Sequence, residues 1–134
     1  MPSDQFTRVE KLTGECEAWS LVGTTNDYSV TFENSWANYG SVTAPARFYK
    51  DKFNVVHIAG QIDTGASGTD AFTLPVGYRP DYLHRFPCDA TTSGGGGGAG
   101  GHAFCIIDTD GTVNCSFTGA TITFFVLDGI SWRV

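Results

Sequence analysis

The sequence is short of charge. Eight Lys and Arg with 14 Asp and Glu make up 16% of its 134 residues, well under the roughly 25% usual for a soluble domain. The net charge of -6 opposes contact with a phosphate backbone, and the few basic residues form no cluster, so nucleic acid is not an expected partner. Long apolar runs are missing too. Nothing nears the ~20 residues of a membrane-spanning helix, and the opening Met-Pro-Ser-Asp-Gln-Phe-Thr-Arg lacks the basic start and apolar stretch of a signal peptide. Synthesis in a cytoplasm and no membrane insertion are therefore expected. The four cysteines, Cys16, Cys88, Cys105 and Cys115, are widely spread with no Cys-x-x-Cys, unlike the dense frameworks that staple small secreted domains. Buried thiols are the expectation. A Cys105 to Cys115 bridge stays open, because the two flank a hairpin turn symmetrically. Helical periodicity is also scarce: outside a short N-terminal piece, Asp4 to Leu12, no window places apolar residues at i, i+3, i+4 and i+7 behind a cap.

What the sequence does have is glycine, 17 residues of it, and recurring runs of Val, Ile, Thr, Phe, Tyr and Trp. These runs are broken by Gly, Asn, Asp, Ser and Pro in the spacing of a sandwich or barrel. Strands are predicted near Cys16–Val22, Ser29–Phe32, Ala46–Lys50, Asn54–Ile62, Ala71–Thr73, His84–Thr91, Ala103–Asp108, Thr112–Phe117, Thr121–Leu127 and Ser131–Val134. The length suits one domain, divided as a 1–15 extension and a 16–134 β-sandwich. Val56, Ile58, Gly60 and Ile62 fall on one face at period two and are read as core. Ile106 to Val113 reads as a hairpin, its Asp110-Gly111 supplying the positive φ of a tight turn. In Phe72 to Pro80, two prolines force the chain out of a strand and into a crossover pinned by Phe72, Leu74 and Tyr78.

Chemistry-bearing patterns are few. No paired carboxylates and no nucleophile-base spacing stand out, and the Asp residues mostly sit beside Gly, Thr or Pro, where they serve turns. Asp108-Thr109-Asp110-Gly111 has the opening of a calcium loop without its later ligands. His57, His84 and His102 form no metal spacing with one another or with a Cys. Neither a catalytic residue, a metal nor another cofactor is expected. Seven glycines lie within Gly94–Gly101, between two predicted strands. Such a run forms neither helix nor ordinary strand, and with no Lys-Ser/Thr behind it is no phosphate loop. It is read either as a spacer or as an adaptable binding loop. Trp19, Trp36, Tyr39, Tyr78, Tyr82 and Trp132 are many aromatics for a small core, and an exposed one offers a flat apolar face for a sugar ring. The candidate ligand-binding residues are accordingly Trp36, Tyr39, Tyr82, Gly96, Gly97 and His102.

Phe72-Thr73-Leu74-Pro75-Val76-Gly77-Tyr78-Arg79-Pro80 resembles the Phe-x-Leu-Pro-x-Gly-Tyr-Arg-Pro signature of C-terminal head domains on bacteriophage tail fibres and minor tail proteins. Its surroundings agree in order: Trp36, Asn38 and Gly40, then Phe48-Tyr49-Lys50-Asp51, Val56-x-Ile58-x-Gly60-x-Ile62, Ile107 to Val113, and Leu127-Asp128-Gly129-Ile130-Ser131-Trp132. The resemblance spans roughly Asn34 to Val134. It implies an all-β, jelly-roll-like antiparallel β-sandwich, assembled as a homotrimer on a virion and binding host cell-surface carbohydrate, with no catalytic residues. The chain departs from that pattern in starting at its own Met1 without a repetitive shaft, and in carrying the glycine run. A structural virion protein, packed on other virion proteins as a head decoration or baseplate or tail-tip component, is the alternative expectation. A glycan hydrolase is the least expected.

Overall fold

The computed structural model describes residues 17–24, 28–40, 42–93 and 102–134, with no helix among them. Among the described residues twelve strands, paired antiparallel, form three four-stranded sheets. The first sheet orders β1 (Ser20–Leu21), β3 (Arg47–Lys50), β4 (Val55–Ala59) and β12 (Ile130–Arg133). The second orders β2 (Ala37–Asn38), β5 (Gln61–Asp63), β11 (Thr121–Val126) and β8 (Ala90–Ser93). The third orders β6 (Thr69–Thr73), β10 (Thr112–Phe117), β9 (Ala103–Ile107) and β7 (His84–Pro87). The all-β expectation holds. The expected N-terminal helical piece and Cys16 lie outside the described residues.

Two of the predicted strands are each two strands. Asn54–Ile62 breaks at Gly60, where the chain leaves β4 in the first sheet and enters β5 in the second. The return strands β11 and β12 make the same passage on either side of Asp128, so the two sheets are one ribbon bent at a corner. That corner is held by Leu127 N–H donating to the Gly60 carbonyl at 2.8 Å and Gly60 N–H donating to Asp128 Oδ1 at 2.8 Å. Gly60 has φ +119, and a Cβ there would stand 2.4 Å from the Pro45 carbonyl oxygen and 2.6 Å from Ala46 Cα. Only glycine fits that approach. His84–Thr91 breaks at Cys88 and Asp89. Cys88 N–H still donates to Ala103 O beside β9, whereas the Asp89 carbonyl already accepts from Val126 N–H beside β11. The predicted strand at Ser29–Phe32 is irregular, with Ser29 at φ 57, and the short β2 had no sequence prediction.

Alternation decides what is buried. Phe48, Val56, Ile58, Ile130 and Trp132 point inward from the first sheet, Cys105, Ile107, Val113, Cys115 and Phe117 from the third, and Ile62 and Phe125 from the second. Each such side chain contributes about 1.5–3 kcal/mol by leaving water. Among the described residues no polar or charged side chain is fully buried, and buried indoles find partners: Trp132 Nε1 donates to Tyr78 O at 3.1 Å and Trp36 Nε1 to Thr69 Oγ1 at 2.9 Å. Cys105 and Cys115 are direct cross-strand partners, as their spacing suggested, and both are free thiols.

The Phe72 to Pro80 crossover is pinned as read. Phe72 and Leu74 are fully buried, Tyr78 packs edge-on to Phe48 at 5.4 Å, and Leu74 N–H donates to Gly111 O. Lys50 Nζ donates to Gly77 O, and Glu17 accepts from both Lys50 N–H and the Tyr78 hydroxyl. Val134 N–H donates to Asn54 O. Glu17 and Val134 thus share one pole of the molecule with the 108–111 turn. From Thr112 to Phe117 the six residues of the central β10 then run about 17 Å to the other pole.

Candidate functional site

At that second pole a cleft of about 160 Å³ opens, lined by Cys88, Asp89, Ala90, Thr92, His102, Ala103, Phe117 and Thr118. Its cause is the strand exchange. β7 pairs with β9 as far as Pro87 opposite Phe104, after which the chain turns away to pair with β11 as β8. The gap between the diverging β8 and β9 is the cleft, floored by the end of β10.

The lining is polar and partly preset. Thr118 Oγ1 accepts from His102 N–H at 3.0 Å and meets His102 Nδ1 at 2.9 Å, and Thr92 Oγ1 donates to Thr118 O at 3.1 Å. With Nδ1 engaged by the threonine hydroxyl, the His102 Nε2 edge is left for another group. The Asp89 carboxylate has no hydrogen-bond partner among the described residues. Burial, then the nearby Cys105 thiol, pushes the Cys88 pKa up to about 12, which favours the protonated thiol at neutral pH. The Cys105 thiol is likewise raised, by its hydrogen bond with Cys115 and by burial. The cleft therefore offers a carboxylate acceptor, hydroxyl oxygens and an imidazole edge within one small concavity, a set that suits a ligand rich in hydroxyls. No group of three or more His, Cys, Asp or Glu among the described residues is arranged to hold a metal ion.

The sequence candidates are not gathered in one place. His102 lines the cleft. Gly96 and Gly97 lie outside the described residues, although Thr92 and His102, on either side of the glycine run, both line the cleft. Tyr39 is 40% exposed and sits edge-on to Phe124 at 5.8 Å, on a sheet whose opposite edge is β8. Tyr82 is 77% exposed but precedes β7 at the far pole. Trp36 is corrected: at 2% exposure it is a core residue, edge-on to Phe117 and Phe125, and has no face to offer a ligand. Asp89, Thr92 and Thr118 were missed. Asp89 falls inside the single strand predicted at His84–Thr91, and apart from His102 the sequence carries no sign of the site.

These features define a small all-β, sandwich-like module with a polar concavity where two sheets part company. The sequence matches no family model and no curated protein. Its fold is similar to that of the receptor binding protein (gp15) of Listeria phage PSA, with a TM-score of 0.63 over 97% of this chain and 71% of that chain at 19% sequence identity. At that identity the likeness is one of fold.

Proposed function

We propose that this protein is a receptor-binding module of a bacteriophage virion, acting without catalysis, that takes a cell-surface carbohydrate of its bacterial host into the cleft between β8 and β9. The observation that carries the reading is the polar cleft at the pole opposite Glu17 and Val134. The fold likeness to a phage receptor binding protein and the resemblance of Phe72–Pro80 to phage tail-fibre head domains support it. In this reading Asp89 and Thr92 accept hydrogen bonds from sugar hydroxyls, His102 donates one, and the module works as a homotrimer whose three weak contacts add by avidity. The test is binding of fluorescently labelled protein to a panel of bacterial cells that includes Listeria, before and after periodate oxidation of surface glycans. Binding lost on oxidation, and lowered about tenfold by Asp89→Asn or His102→Ala, is the loss expected from one or two hydrogen bonds. Binding to cells that neither oxidation nor these substitutions alter excludes the cleft.

The structural reading, a virion component that packs on other virion proteins, draws on one observation of its own. Phe53, Val76, Tyr82 and Leu83 are exposed apolar side chains on loops at the Glu17 and Val134 pole, where a neighbouring virion protein would cover them. Incorporation into particles that is lost on changing these residues to Ser, with cell binding intact, would assign that pole to assembly.

A further inference from the structure

The outer face of the first sheet carries a second arrangement unrelated to the cleft. Tyr49, His57 and Ser131 stand side by side in register across β3, β4 and β12. Trp19, the residue before β1, falls opposite Tyr49, because Ser20 pairs with Phe48. Tyr49 and His57 stack nearly parallel, with centroids 4.8 Å apart and planes 15° apart, forming an upright wall. Trp19 meets Tyr49 at 71° with centroids 4.5 Å apart, so its indole lies across the foot of that wall. One face of the indole rests on the Arg47 guanidinium, whose Cζ is 4.4 Å from the ring centroid. Arg47 Nε is shut from solvent without a hydrogen-bond partner, which places the guanidinium beneath the indole rather than out in water. Trp19 as a residue is 38% exposed.

We infer that this corner is a second saccharide site, in which a pyranose lays its C–H face on Trp19 and turns its hydroxyls to the polar edges of the wall. The chemistry along those edges fits. His57 Nε2 is held by Asp51 Oδ2 at 2.8 Å. Burial raises the Asp51 pKa, but the His57 hydrogen bond and the N–H groups of Val55 and Phe53 outweigh it and hold the carboxyl below its ordinary range. The carboxylate accepts a hydrogen bond at His57 Nε2, which leaves the Nδ1 edge of the ring for a sugar hydroxyl. Tyr49 Oη and Ser131 Oγ stand on either side as further donors and acceptors. An aromatic plate beside a polar rim is the combination on which sugar rings stack. A partner protein would need a broad apolar patch, and here the neighbours in the row are polar.

The site rests on the receptor-binding reading only in the choice of probe, and its test is separable from that of the cleft. The chain has three tryptophans, of which Trp36 and Trp132 are buried, so a ligand-dependent change in tryptophan emission reports on Trp19. The methyl glycosides of glucose, galactose and N-acetylglucosamine are titrated into the protein, with sorbitol as an acyclic control. A saturable change with at least one pyranoside, at a dissociation constant on the order of millimolar to tens of millimolar, and none with sorbitol, is expected. Tyr49→Ala keeps the Trp19 reporter but removes the wall and should abolish saturation, with Tyr49→Phe retaining part of it if the alanine variant fails to fold. His102→Ala should leave the response intact. The inference is overturned if no pyranoside differs from sorbitol, if saturation survives Tyr49→Ala, or if it vanishes with His102→Ala, which would place the sugar in the cleft. Emission that depends on protein concentration without sugar would overturn it too, giving this face to a second copy of the chain.

Discussion

Gly60 illustrates how much can rest on one hydrogen atom. With φ +119 and backbone atoms of Pro45 and Ala46 inside 2.7 Å of where a Cβ would sit, Gly60→Val combines backbone strain with overpacking, and about 3 kcal/mol or more of stability should be lost. Urea denaturation monitored by tryptophan emission measures it, and an unchanged midpoint would mean the corner is looser than described. From the sequence Gly60 was legible as buried but not as a corner, because period two continues through it while the change of sheet depends on contacts with Pro45 and Asp128. Trp36 was misjudged for a similar reason. Its ring lies over Gly65, where a Cβ would fall 1.9 Å from Trp36 Cε2; a packing partner 29 positions away leaves no local mark. The thiols give a prediction with a pH sign. Because Cys88 titrates near 12, its thiolate fraction stays negligible at both pH 7 and pH 9. In a Cys16→Ser background, iodoacetamide should label Cys88 in the native protein no faster than a small fraction of the unfolded rate across that range. Rapid labelling at pH 9 would contradict the burial of this thiol beside Cys105.

At the level of elements, what was legible is what is local. The β9–β10 hairpin was readable because its turn chemistry lies in four consecutive residues. Gly111 N–H donates to Asp108 O, Gly111 has φ +89, and Asp110 Oδ1 accepts from both the backbone and the hydroxyl of Thr112. Those two Thr112 bonds are also what hold the Asp110 carboxyl below its ordinary range. Gly111→Ala should destabilise the fold by about 2 kcal/mol, since the added methyl would meet Leu74 O at 2.6 Å and Arg79 Nε at 2.7 Å. A thermal melt lowered by several degrees would register it, whereas alanine at the exposed Gly129, with nothing within 4 Å of the added carbon, should lose less. Strand exchange was the illegible part. Leaving β7 for β8 changes the partner from β9 to β11 without changing the residue types, so the run from His84 to Thr91 looks uniform, and the cleft that the exchange creates could not be foreseen.

For the whole molecule, small size and open strand edges favour assembly, and the proposed trimer predicts three times the chain mass by light scattering of purified protein at micromolar concentration. A monomer at that concentration would remove avidity from the proposed mode of binding. Shortening positions 94–101 to three residues should leave the melting temperature nearly unchanged, because loop closure depends only logarithmically on length. Cell binding should fall if the run contributes to the cleft that Thr92 and His102, on either side of it in sequence, line. The arrangement of poles also has a practical side. Val134 lies at the pole away from the cleft, so the C-terminal end is a safe anchor for a biotin, a bead or a sensor chip. Protein fixed there would stand as a brush of identically oriented molecules with every cleft facing the solution, and the same protein coupled through a residue introduced at Thr121, beside the cleft, would be blinded. Comparing cell capture by the two coatings would read the direction of the module without any need to know its ligand.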